Sequence, residues 1–131
     1  PQGISPLFRA AADLFIIIKG DQIQPFRIIG NLCRSRQGPA IKLSYSQRYA
    51  TDTKAVGIVS QICEANHIPY QKFVNRSDMA GGSTLGTITS AFLPMLTVDL
   101  GIGVLAMHSA RELMAGEDQA ALNTLVYCFF L

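Results

Sequence analysis

The stretch Leu96-Thr97-Val98-Asp99-Leu100-Gly101-Ile102-Gly103-Val104-Leu105, running into Ala106-Met107-His108-Ser109, decides how this chain is read. Leu96–Leu100 follows the breaker Pro94 and is apolar apart from Thr97 and Asp99, the pattern of a buried strand. His108 comes after the apolar Val98–Leu105 segment. It therefore falls near a strand end, where open α/β sheets gather their ligands.

Working outward, the same alternation recurs on both sides. Upstream, Ser83 or Thr84 caps a helix to about Phe92. Tyr70–Asn75 reads as a strand. Before it, Asp52 or Thr53 caps a helix to about Asn66, with Ala55, Val56, Val59, Ile62 and Cys63 at helical spacing. Ala40–Leu43 is a short strand begun by Gly38-Pro39. Downstream, Glu117-Asp118 opens a helix through Phe130, with Ala120, Ala121, Leu125 and Phe129 on one face. From residue 40 on, strands alternate with helices, which predicts layered α/β architecture around a central sheet. Residues 1–39 carry two β-type runs, Leu14–Ile18 and Phe26–Ile29, separated by Gly20 and Pro25.

Composition narrows the classes of function. The 131 residues are 49% apolar and 15% charged, enough for one domain with one core. A net charge of +2 with scattered Lys and Arg makes no basic stripe, so nucleic acid is not expected. The longest early apolar run, Leu14–Ile18, is too short to span a bilayer, and no charged leader precedes a signal-like core. Three widely spaced cysteines, Cys33, Cys63 and Cys128, read as reduced thiols in a cytoplasmic protein. A mean hydropathy of +0.26 suggests apolar surface that other protein covers.

Three groups of residues carry a resemblance. They are Gln47-Arg48-Tyr49-Ala50-Thr51, then Arg76-Ser77-Asp78-Met79-Ala80-Gly81-Gly82-Ser83-Thr84-Leu85-Gly86, then Ala106-Met107-His108-Ser109. Together they resemble the C-terminal part of the aspartyl aminopeptidase family of zinc exopeptidases, over roughly residues 38–131. The resemblance implies a layered α/β/α sandwich of the zinc-exopeptidase type, present as a partial domain, and the release of N-terminal acidic residues from peptides by zinc-assisted hydrolysis. It implies that His108 is a zinc ligand and that Lys42 and Tyr49 line the substrate pocket. Lys42 would attract an acidic side chain, and Tyr49 would donate to the oxygen of a tetrahedral intermediate. The Gly82-Ser83-Thr84 turn would offer backbone amides to the substrate carboxylate, within about 10 Å of His108. Asp78 would orient that turn. Asp99 is either a partner behind the site or a structural carboxylate. The family also implies a homo-oligomer.

Taken without the resemblance, Lys42 reads as solvated, Tyr49 as half-buried and His108 as structural. His67 is a surface residue at a helix end, and Cys63 is core. Gly81-Gly82-Ser83-Thr84 lacks the lysine of a phosphate loop, so a nucleotide site is not expected. The resemblance stops before residue 38. Gln22–Gln37 contains no histidine and no acid, and the first third offers only Asp13 and Asp21. A dinuclear centre needs about five ligands. A chain with these residues alone is expected to carry one ligand and to be inactive in isolation. The alternative reading is a structural or assembly module of the same fold. Phe26, Ile28, Ile29, Phe129, Phe130 and Leu131 are the expected exposed apolar residues.

Overall fold

A computed structural model describes residues 34–45, 48–74 and 85–131, and the backbone path of 14–22. The elements are β1 (Leu14–Gln22), β2 (Ala40–Leu43), α1 (Thr53–Ala65), β3 (Gln71–Val74), α2 (Leu85–Phe92), β4 (Leu96–Leu105), β5 (Leu113–Met114) and α3 (Gly116–Phe130). The strands form one mixed sheet in the order β1-β4-β2-β3, with β5 also on β4. β1 runs parallel to β4 from Leu14↔Leu96 to Gln22↔Val104. β2 is antiparallel to β4 at Ala40↔Gly101 and Ile41↔Leu100, and β3 is parallel to β2.

The architecture is layered α/β, as the alternation predicts. β4 is twice the length of the apolar run Leu96–Leu100, because Gly101 and Gly103 are buried inside a strand flanked on both sides. Successive residues of a strand point to opposite faces. Ile41, Val98, Leu100 and Ile102 share one face and pack with Ala55, Val59 and Cys63 of α1 and Ala121, Leu122, Leu125 and Phe129 of α3. Each such large apolar side chain contributes roughly 1.5–3 kcal/mol on burial. Among the described residues, none of α2 belongs to that cluster.

Asp52 is the N-cap of α1, accepting from the Lys54 amide at 2.7 Å. His67 lies exposed just past the helix end with φ 54°, as a surface terminal residue. Two expectations need correction. Phe129 was expected among the exposed residues but is buried in the core, while Phe130 and Leu131 are exposed. Ala120, which the spacing sets on one face with Ala121, Leu125 and Phe129, is exposed, since the buried stripe runs through Asp118, Ala121, Leu122, Leu125 and Phe129. Phe26, Ile28 and Ile29 lie outside the described residues.

Candidate functional site

The chain concentrates its unusual chemistry at two places along β4. The first lies near the start of the strand. Since Ile41 and Leu100 face the helical core, Lys42 and Asp99 face the other side of the sheet. One more step of the antiparallel register sets Lys42 opposite Asp99. Lys42 is 0% exposed, Asp99 1% and Tyr49 7%. The Lys42 ammonium stands 5.6 Å from the centre of the Tyr49 ring, within range of a cation–π contact. Lys42 is therefore not solvated and Tyr49 is not half-buried.

Beyond Leu43 the chain loops out and returns beside β4. The Asp52 amide donates to the Thr97 carbonyl at 2.8 Å, and the Asp99 amide donates to Thr51 Oγ1 at 3.1 Å. The Ala50 amide donates to Asp99 Oδ2 at 3.1 Å. Asp99 Oδ1 is buried without a hydrogen-bond partner among the described residues. α2 reaches the same return, with Thr87 Oγ1 donating to the Arg48 carbonyl at 3.0 Å.

The second place lies past the other end of β4. Val104 and Leu105 pair with Met114 and Leu113 of β5, so His108 rides in the loop of a β-hairpin. The sequence placed it near a strand end, and it is there. Six steps along the strand separate Asp99 from Leu105, roughly 20 Å at the usual rise. The hairpin loop is shaped by its own residues. Ala106 and His108 take positive φ, 53° and 68°. The Ser109 amide donates to the Ala106 carbonyl, the Arg111 amide to Ser109 Oγ, and the His108 amide to Glu112 Oε2 at 3.2 Å. His108 is exposed.

An exposed imidazole on such a loop fits one coordination position of a metal. Among the described residues no group of three His, Cys, Asp or Glu is placed to hold an ion. The described residues thus fit one ligand, not a whole centre. Asp78, Gly82, Ser83 and Thr84 lie outside the described residues, and so does the distance expected between their turn and His108.

One carboxylate escaped the sequence reading. Asp118 is 0% exposed, and its two oxygens accept the Arg36 and Gly38 amides, each at 2.8 Å. Arg36 and Gly38 have φ of 64° and 78°, which turns both amides toward one point. Gln71 completes the clamp, donating to the Arg34 and Gly38 carbonyls and accepting from the Arg34 amide. In sequence, Asp118 looked like an ordinary acid in a helix's first turn, and no local signal says that it reaches back some eighty residues. Beside α3, an open groove of about 810 Å³ is lined by Ile102, Val104, Met114, Leu122, Val126 and Phe130, among others.

Residues 30–130 match the family of the aminopeptidase I zinc metalloproteases, M18. A probable M18 family aminopeptidase 2 of Clostridium acetobutylicum is 49% identical over 82 residues, which is 63% of this chain and 19% of that protein. A cryo-EM structure of the Ape4 and Nbr1 complex contains a chain with a TM-score of 0.79 and 30% identity, over 88% of this chain and 23% of that one. A dodecameric structure, PhTET1-12s, superposes with a TM-score of 0.64 over 97% of this chain and 37% of its own, at 22% identity, a likeness of fold alone. The chain spans about a fifth of the length of the curated relatives it matches. On a match that covers most of its length, the chain belongs to the M18 aminopeptidase family.

Proposed function

We propose that this chain is the C-terminal part of a zinc aminopeptidase that removes acidic residues from the N-termini of peptides. The observation that carries this reading is the buried Lys42 beside Tyr49. A buried ammonium beside an aromatic ring sets positive charge in a largely apolar wall, and an acidic substrate side chain is complementary to it. Lys42 supplies the positive field of the specificity pocket, and the Tyr49 hydroxyl donates to the substrate oxygen that gains charge. The Gly82-Ser83-Thr84 turn contributes amides, and Asp78 orients it. His108 offers one imidazole to zinc, and zinc, when bound, polarises the scissile carbonyl and activates water. The remaining ligands come from outside these residues. The assembly is a homo-oligomer acting on peptides in the cytoplasm, with no nucleic acid or membrane partner. No helix among the described residues is long and apolar enough to cross a membrane.

A titration with aspartyl and alanyl dipeptides, followed by NMR, tests the pocket. The aspartyl peptide is expected to shift Lys42 and Tyr49 resonances, and Lys42→Met to abolish the shift. Equal responses to both peptides would defeat the acidic specificity.

A second reading is an inactive structural or assembly module of this fold. The apolar groove beside α3, flanked by the exposed Met114, Tyr127 and Phe130, favours it. Metal analysis after dialysis can exclude the inactive module. Two tightly held zinc ions per chain would rule out the inactive module, whereas a chain that retains none is expected under both and leaves light scattering to show whether it self-associates.

A further inference from the structure

Asp99 is buried to 1% exposure, yet only one of its two oxygens accepts a hydrogen bond among the described residues. A neutral amide could accept the Ala50 amide equally well. A carboxylate is the costly choice at such a position, because desolvation penalises its charge. The charge therefore needs a role that the hydrogen bond does not supply. Register and face set Asp99 across from Lys42, itself fully buried. Residues directly opposite on antiparallel strands have Cβ atoms about 5 Å apart. Arg48 and Asp52, on the return beside β4, are exposed, and Tyr49 stands against the Lys42 ammonium; on β1, next to β4, Ile17 pairs with Asp99 and Lys19 with Gly101, so Lys19 holds a charged register position on the same face. Asp99 also anchors both Ala50 and Thr51, the two residues that follow Tyr49.

We propose that Asp99 is the positioning residue of the Lys42–Tyr49 pocket, a role that rests on the reading of those two residues as substrate contacts. Its negative charge keeps the Lys42 amine protonated in a place without water. Its bonds to Ala50 and Thr51 set where the Tyr49 ring stands over that ammonium. The charge and the Ala50 bond sit on its side chain and the Thr51 bond on its backbone amide, so a single residue fixes the pocket's charge and its aromatic wall relative to each other. Asp99 does not touch substrate.

The substitution Asp99→Asn separates charge from hydrogen bonding, because the amide oxygen still accepts from Ala50. In the full chain with labelled lysine, NMR titration should show Lys42 losing at least about tenfold in proton affinity, one pH unit, while amide exchange at Val59 and Leu125 stays protected. A merely structural role predicts the reverse, an unmoved Lys42 and a loosened core. A double-mutant cycle with Lys42→Met guards against a poorly folded single variant. The double variant should be at least as stable as Lys42→Met alone, since neither charge is then left buried by itself. Additive losses, or an unmoved Lys42 titration, would overturn the proposal. Neither measurement uses a peptide. Failure of aspartyl dipeptide binding with the coupling intact would remove the pocket reading and leave the charge pairing standing.

Discussion

Two buried carboxylates, Asp118 and Asp99, face the same cost and meet it differently. Asp118 has both oxygens matched by backbone amides that point at it from a tight turn. Asp99 has one oxygen matched and one without a partner among the described residues, with a buried lysine on the neighbouring strand. A fully matched carboxylate needs nothing more from its surroundings, and its work is to hold the turn that starts β2. A half-matched one holds charge in reserve. The comparison identifies Asp118 as architecture and singles out Asp99 as the carboxylate that keeps an oxygen without a partner among the described residues.

The largest effect should come from the turn that Asp118 holds. Gly38 has φ 78°, and a Cβ there would fall inside the Pro69 carbonyl. Gly38→Ala combines a left-handed conformation with a backbone clash, and a loss of about 4 kcal/mol is expected. Urea unfolding measures it. A loss under about 1 kcal/mol would mean that the turn is not rigid and that Asp118 is not architectural.

Asp118→Ala comes next. It strands the buried amide of Gly38 and the part-buried amide of Arg36, at a cost of about 3 kcal/mol. Thermal unfolding of this variant against Asp99→Asn sharpens the comparison. Asp118→Ala should be much the more damaging, since Asn at position 99 keeps its acceptor. Similar melting temperatures would erase the distinction between the two carboxylates.

A third test concerns the helical core, where Cys63 of α1 is buried. Burial raises the Cys63 thiol from 9.0 to about 11, with smaller contributions from Glu64 and Cys128. The unfolded chain then ionises before the folded one. Stability from this group is fully present below pH 9.0 and is lost as pH rises to about 11, by on the order of 2 kcal/mol. Cys63→Ala should flatten that part of the stability curve. An unchanged slope would show that the alkaline loss arises elsewhere. Thiol reagents at pH 8 should label Cys128 well before Cys63, which is 0% exposed.

The smallest effect belongs to the exposed hairpin. His108→Ala should change stability by no more than about 0.5 kcal/mol, because the loop's bonds run through backbone atoms, Ser109 and Glu112. The same variant should lose the imidazole shifts that added zinc produces in the parent chain. A large stability loss would make His108 structural.

Much of the fold was legible because its cues are local. Asp52 before Lys54 caps α1 from two residues away, and the spacing of Ala55, Val59 and Cys63 marks the buried stripe. β5 was not legible, since Leu113–Met114 is too short to carry a period. The extent of β4 was missed for a related reason. Its glycines weaken the strand pattern locally, and only pairing on both flanks makes them strand.

For the candidate site, the sequence by itself determined which residue types were present. It supplied one histidine after an apolar strand, a lysine and a tyrosine seven residues apart, and an acid within β4. Tertiary structure decided what those groups experience. Burial of Lys42, the facing of Asp99 and the matching of Asp118 to a turn some eighty residues away are set by strand register and packing. Hydrogen bonding and desolvation depend on distance in space, and spacing along the chain fixes that distance only within a single helix or strand.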